Sequence, residues 1–214
     1  PWFALGGLDG PRVRRLGALG VRRIAVVRDV VDAEDPAAAV RDLLDALDTA
    51  PRVVSIAGSD SGGGAGIQAD IKAITAAGGF PMTAITALTA QSTVGVDDVL
   101  PVPGAFIAAQ ARAAIDDLGV DAVKTGMLGS VDAIAAAREA IAGLDPSLRV
   151  PVVVDPVMRA ESGASLLDGD AVGALRGLLA AATVCTPNLL EAQALAERDT
   201  DDAAELARAI HAHA

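Results

Sequence analysis

The sequence has 214 residues, 52% of them hydrophobic but only 2% aromatic, with one cysteine and a net charge of −11. Such a chain builds its core from Val, Ile, Leu and Ala, the residues of parallel sheets covered by helices on both faces, and a single cysteine excludes a disulfide framework and suits a reducing cytoplasm. The acidity argues against nucleic acid as a partner, because binding phosphates needs a basic surface, and no run of about 18 apolar residues predicts a membrane span.

The charge is uneven: residues 1–50 hold 7 basic and 8 acidic side chains, residues 51–214 hold 10 and 20. The chain starts at Pro1 without an initiator Met, and Arg12, Arg14 and Arg15 follow its short apolar start, the reverse of a signal peptide. A strand is expected over Trp2 to Leu5, then Gly6-Gly7, a helix near Pro11 to Leu19, and a strand over Arg23 to Val27. A further helix follows, capped by Asp35, with Pro36 in its first turn and Val40, Leu43, Leu44 and Leu47 as one apolar stripe. Two β–α units cannot bury both faces of their strands, so this segment reads as the remnant of something larger, with a domain boundary at Asp48-Thr49-Ala50-Pro51.

After the boundary, Val53, Val54, Ile56 and Ala57 form a β-branched run. It leads into Gly58-Ser59-Asp60-Ser61-Gly62-Gly63-Gly64-Ala65-Gly66, followed by Ile67, Ile71 and Ile74 at helical spacing. This is strand, glycine loop, helix. Five glycines allow close backbone approach, and the expectation is a set of unpaired N–H groups and a helix N-terminus facing an anion or a polar small molecule, the alternative being a tight turn that merely packs helix on strand. Neither the Gly-Lys-Ser/Thr ending of a P-loop nor the dinucleotide fingerprint's acid about 20 residues on is present.

Regular alternation continues. Strands are expected over Met82–Leu88, Ala122–Thr125, Val152–Val154 and Thr183–Thr186. Helices are expected over Pro103–Leu118, after Ser130, after Asp168 and twice more before the end. The pattern predicts a mostly parallel sheet between helix layers.

Polar groups fall at carboxyl strand ends, where open α/β sheets bind ligands: Gln91, Lys124 with Met127 close by, Asp155 and Asn188. Each has a structural alternative. Asn188 and Glu191 have capping-box spacing, Asp155-Pro156 reads as a turn, Lys124 can snorkel to the sheet rim, and Met127 can fill core. Cys185, inside an apolar strand, reads as buried and inert.

Residues 52–198 resemble the hydroxymethylpyrimidine/phosphomethylpyrimidine kinases of thiamine biosynthesis, in the ribokinase-like superfamily. The match rests on Ala57 to Asp70, Ile85-Thr86-Ala87-Leu88-Thr89-Ala90-Gln91-Ser92-Thr93, Lys124-Thr125-Gly126-Met127-Leu128, Asp155-Pro156-Val157-Met158 and Thr186-Pro187-Asn188-Leu189-Leu190-Glu191. Residues 1–50 resemble the end of a thiamine-phosphate synthase, a (β/α)₈ barrel, through Phe3-Ala4-Leu5-Gly6-Gly7-Leu8, Ala25-Val26-Val27 and Glu34-Asp35-Pro36-Ala37-Ala38-Ala39. Arg28 stands where that family usually carries a Ser.

The resemblance implies a three-layer α/β/α sheet preceded by a two-unit barrel remnant, a bifunctional fusion serving one pathway. It implies ATP-dependent, Mg²⁺-assisted phosphorylation of 4-amino-5-hydroxymethyl-2-methylpyrimidine and then of its monophosphate by a cytoplasmic enzyme, compatible with a homodimer. By family position Gly58, Asp70, Gln91, Met127 and Val157 would form the substrate pocket, with Lys124, Asp155 and Asn188 on the phosphate side. Glu191 would act on Mg²⁺ through water, and Gly6 and Gly7 would hold phosphate in the synthase part. The family's Lys-Gly-Gly strand and Gly-Thr-Gly-Cys loop do not occur in these 214 residues, so the sheet is expected to be incomplete, with no catalytic residue assigned and little turnover by the fragment. Glu161 also departs from the Lys common in the family. Two alternatives stand beside this reading: a pyridoxal or pyridoxine kinase of the same superfamily, and a catalytically dead binding module.

Overall fold

A computed structural model describes residues 4–19, 21, 23–47, 50–158 and 171–213. The expected strand start at Trp2 and Phe3, the join at Asp48 and Thr49, and Glu161 lie outside the described residues.

The first unit pairs β1 (Ala4–Leu5) in parallel with β2 (Ile24–Ala25). Between them runs α1 (Gly10–Ala18), whose first turn is capped by Asp9 Oδ1 accepting from Arg12 N–H at 2.9 Å. A short α2 (Arg28–Val31), unexpected from the sequence, precedes α3 (Pro36–Leu47). Asp35 Oδ1 caps α3 as expected, accepting from Ala37 and Ala38 N–H at 3.0 Å each. Val13 of α1 packs with Leu43, Ala46 and Leu47 of α3 in a small core of their own. The predicted α3 stripe is only half right. Leu43 and Leu47 are buried, but Val40 and Leu44 are 41% and 58% exposed, because α1 covers only one side of the helix.

The second unit holds a five-stranded parallel sheet in the order β4-β3-β7-β8-β9: β3 (Arg52–Ala57), β4 (Phe80–Ile85), β7 (Ala122–Thr125), β8 (Val152–Val154) and β9 (Val184–Cys185). Side chains alternate along each strand, so the two faces differ. Val54, Ile56, Val123, Val152 and Val154 join the buried cluster with Ile107, Ala108 and Ala111 of α5 (Gly104–Leu118), Ile134 and Ala137 of α6 (Val131–Ala142), and Leu175 and Leu178 of α7 (Ala171–Leu179). The cluster continues through α8 (Leu189–Ala196) and α9 (Ala203–His213). Ala at so many helix positions lets these helices approach closely without aromatic filler. On the other face Ser55 of β3 meets α4 (Gly66–Ala76). Among the described residues no helix is long and apolar enough to cross a membrane.

The single strand expected over Met82–Leu88 is two. The chain leaves the sheet after Ile85, and at Thr86 it turns into an antiparallel hairpin of β5 (Ala87–Gln91) and β6 (Val96–Pro101). The Gln110 side chain finishes β4, its amide both donating to Ile85 O and accepting from Ile85 N–H at 3.1 Å. Gln91 therefore stands on the hairpin rather than at the end of a sheet strand. The expected strand over Thr183–Thr186 is likewise shorter, Val184–Cys185.

Candidate functional site

The carboxyl ends of β3, β7 and β8, the glycine loop before α4 and the tip of the hairpin enclose a cavity of about 510 Å³. Seven of the predicted site residues line it: Gly58, Asp70, Gln91, Lys124, Met127, Asp155 and Val157. Asn188 and Glu191 do not. They form the capping box of α8, with Glu191 N–H donating to Asn188 Oδ1 at 3.0 Å and Asn188 N–H donating to Glu191 Oε2 at 2.9 Å. Glu191 is buried, and its other oxygen accepts from Met158 N–H at 3.2 Å, tying α8 to the segment after β8. Gly6 and Gly7 belong to the first unit and do not line the cavity; both have positive φ, and the Gly7 carbonyl accepts from the Arg12 guanidinium.

The glycine loop corrects the sequence expectation. Its N–H groups do not wait for an outside anion, because Asp60 supplies one. Asp60 Oδ1 accepts from Gly62 N–H at 2.8 Å, and Oδ2 accepts from Gly64 N–H at 2.9 Å and Ala65 N–H at 2.8 Å. Burial pushes the Asp60 carboxyl up, but these backbone donors outweigh it and hold the pKa below its ordinary value. The loop is a turn wound around an internal carboxylate. Two glycines keep the loop close-packed: a Cβ on Gly58 would lie 2.3 Å from Met127 Cε, the movable end of a flexible side chain. One on Gly66, at φ +55°, would lie 2.5 Å from the Gly58 carbonyl oxygen. That same carbonyl accepts from Ile67 N–H at 2.9 Å, so the start of α4 is pressed onto the end of β3.

On the cavity floor Lys124 Nζ donates to both oxygens of Asp70 at 3.0 Å and lies 3.9 Å from Asp155 Oδ2. Ser55, one residue from the end of the β3–β7 register and beside Lys124, donates its hydroxyl to Asp70 Oδ2 at 2.5 Å. Asp70 is thus oriented by an ammonium and a hydroxyl. Burial raises the Asp155 pKa; the Lys124 cation opposes this, while the Glu191 and Asp70 charges add to it. Three carboxylates (Asp60, Asp70, Asp155) against one ammonium leave the lining formally at −2. Such a cavity favours a neutral polar ligand with hydrogen-bonding edges over a bare anion.

The hairpin contributes Gln91, Ser92, Thr93, Gly95 and Val96 to the wall. The sequence reading gave no role to Ser55, Ser59, Asp60 or Ser61. The available signal for the hairpin was Gly95 within a short polar break between two strand-like runs. Nothing in the local pattern pointed to Ser55, whose partner is fifteen residues away. Cys185 fits the inert reading: it is half-buried, and burial pushes its thiol pKa up to about 11.

The phosphomethylpyrimidine kinase family matches residues 60–214. The chain is 46% identical over 165 residues to a hydroxymethylpyrimidine/phosphomethylpyrimidine kinase of Streptomyces coelicolor, covering 77% of this chain and 60% of that protein. It is 42% identical over 220 residues to the thiamine biosynthesis bifunctional protein ThiED of Geobacter sulfurreducens, covering 99% of this chain and 44% of that one. Among solved structures, phosphomethylpyrimidine kinase from Clostridium difficile superposes with a TM-score of 0.68 at 37% identity, covering 76% of this chain and 71% of that chain. Bacillus subtilis pyridoxal kinase, solved as an ADP complex, superposes with a TM-score of 0.65 at 40% identity, covering 77% and 62%. The chain spans 26% to 60% of the length of the first curated relatives it matches. The parallel sheet with its glycine loop and hairpin is accordingly ribokinase-like, and the chain belongs to the phosphomethylpyrimidine kinase family.

Proposed function

We propose that the protein carrying this chain uses ATP to phosphorylate the hydroxymethyl group of 4-amino-5-hydroxymethyl-2-methylpyrimidine, and then the resulting monophosphate, in thiamine biosynthesis. The observation that carries the reading is the Gln91 amide at the edge of the cavity. It can both donate and accept, and so can pair with an aminopyrimidine edge. Gly58 lets the Met127 side chain lie across the strand end, where Met127 and Val157 pack the ring from the apolar side. Asp70, held by Lys124 and Ser55, is the fixed acceptor on the floor. The −2 lining suits a neutral heterocycle.

Phosphoryl transfer asks a protein mainly for positioning and for neutralisation of developing charge. Lys124 and Asp155, both in the cavity lining, are assigned to the phosphate side, and Asn188, the N-cap of α8, to the same role from outside that lining. Mg²⁺ keeps several waters and takes one or two carboxylates together with substrate phosphates. Asp155 fits that role directly. Glu191 fits it only through water, because each of its oxygens already accepts a backbone N–H. When bound, the ion would neutralise phosphate charge that this acidic lining cannot.

Residues 1–50 are proposed as the end of a synthase-like barrel, with the kinase domain over 51–214, and Gly6 and Gly7 as that barrel's phosphate contacts. Support comes from the separate small core and from the exposed Leu5, Val27, Val31, Val40 and Leu44, an apolar surface suited to further barrel units. Limited proteolysis checks the boundary: cleavage should concentrate between residues 47 and 51.

The likeness to pyridoxal kinase keeps one second reading, a pyridine substrate carrying the same hydroxymethyl group. Calorimetric titration of the chain with the aminopyrimidine and with pyridoxine decides between them. Tighter binding of pyridoxine, or no binding of the pyrimidine, overturns the proposal.

A further inference from the structure

Residues 59–61 run beside β5 as a short pseudo-strand in which side-chain hydroxyls stand in for backbone groups. Ser59 N–H donates to Ala87 O at 2.9 Å. Thr89 N–H donates to Ser59 Oγ at 3.1 Å, and Thr89 Oγ1 donates to Ser59 O at 2.9 Å. One step further, Gln91 N–H donates to Ser61 Oγ and Ser61 Oγ donates to Gln91 O, both at 2.7 Å.

The last pair sits where the hairpin ladder slips. Ala90 is paired with Asp98, but Gln91 is paired with Val96, so Asp97 is an extra residue on β6. A bulge loosens the ladder and re-aims the neighbouring side chain. Gln91 therefore depends on its other edge, and there one hydroxyl holds both its N–H and its C=O. Fixing both groups fixes the local backbone, and with it the direction in which the side chain leaves. Among the described residues nothing else holds the Gln91 amide strongly: its Oε1 lies 3.5 Å from Thr89 Oγ1, whose single proton already goes to Ser59 O.

We propose that Ser61 is a positioning residue for substrate recognition: its hydroxyl, bound to both backbone groups of Gln91 at the β5–β6 bulge, aims the Gln91 amide into the cavity. This rests on the pyrimidine-binding reading given above. The loop that Asp60 winds is then more than a turn, since it carries the group that orients the substrate reader across the cavity mouth.

The test is a double-mutant cycle read by calorimetric titration of the chain with 4-amino-5-hydroxymethyl-2-methylpyrimidine, using Ser61→Ala, Gln91→Ala and the pair. Losing two exposed hydrogen bonds should weaken binding by about three- to tenfold in Ser61→Ala, with Ser61→Thr, which keeps the hydroxyl, within about twofold of the parent. In the Gln91→Ala background Ser61→Ala should change nothing further, because its effect passes through Gln91. Hydrogen exchange at the Gln91 amide should quicken in Ser61→Ala and recover in Ser61→Thr. Parent binding with an unchanged Ser61→Ala, or an undiminished Ser61 effect without Gln91, overturns this proposal alone. Failure of the parent to bind the pyrimidine overturns the underlying reading and this proposal with it.

Discussion

Replacing Asp60 by Asn keeps the shape of the side chain and removes its charge, so it isolates what the internal carboxylate does for the glycine loop. In the parent, three backbone N–H groups at 2.8–2.9 Å share two charged oxygens. In Asp60→Asn only one carbonyl oxygen remains. Placed at the Oδ2 position it keeps Gly64 and Ala65 as neutral bonds, while the amide NH₂ is turned against Gly62 N–H. Bonds to charged acceptors contribute about 1.5–3 kcal/mol and neutral ones about 1, so one bond lost and two weakened come to roughly 2.5–7 kcal/mol. Gly62, Gly64 and Ala65 are exposed, and water can take over part of the loss, which brings the expectation to about 2–3 kcal/mol. Urea unfolding followed by circular dichroism should show the midpoint falling by about 1 M if m is about 2 kcal/mol/M. The pH dependence gives a second handle. The folded pKa of Asp60 lies below its ordinary 3.8, so its contribution is fully present above that value and is lost as the pH falls through the lower folded one. The gap between parent and variant should accordingly close in strong acid. A gap under about 0.5 kcal/mol at neutral pH, within the range of an ordinary surface change, or one that persists unchanged through acid, would refute the account of the loop.

In the complete protein that carries this chain, Gln91→Ala should weaken pyrimidine binding by about ten- to a hundredfold, the loss of a pairing worth roughly 1–3 kcal/mol, while ATP affinity hardly moves; equal pyrimidine affinity in the variant would make Gln91 a purely structural residue. Gly58→Ala puts a Cβ 2.3 Å from Met127 Cε, and since that methyl ends a flexible side chain it should swing into the cavity. Pyrimidine affinity should then drop about tenfold with the melting temperature nearly unchanged, whereas a large loss of stability with intact binding would contradict this. With its pKa near 11, Cys185 is about one part in a thousand thiolate at pH 8, so iodoacetamide should label the native chain about a hundredfold more slowly than the urea-unfolded chain; comparable rates would show the thiol is not shielded.

Much of this was legible in the residues themselves, and the reason is range. Asp35 on α3, Ser130 on α6 and the Asn188–Glu191 box on α8 are contacts within three residues, so their spacing alone announces them. The β–α alternation and the apolar runs of β3 and β8 are likewise patterns of neighbours, and they are enough to call for a parallel sheet with polar groups at its carboxyl edge. What the chain could not declare locally was set by residues meeting across the fold. Lys124 takes Asp70 as its main partner, fifty-four positions away, because parallel pairing of β7 with β3 lays it beside Ser55 and under α4. Thr86 ends one strand and begins another because Ala57 and Val102 claim its backbone from opposite sides. Val40 and Leu44 read as core and lie exposed, since an apolar stripe specifies a face to be covered but not the element that covers it. Gln91 meets Ser61 from thirty residues earlier, and a hydrogen bond closed over that distance exists only once the sheet has brought loop and hairpin together.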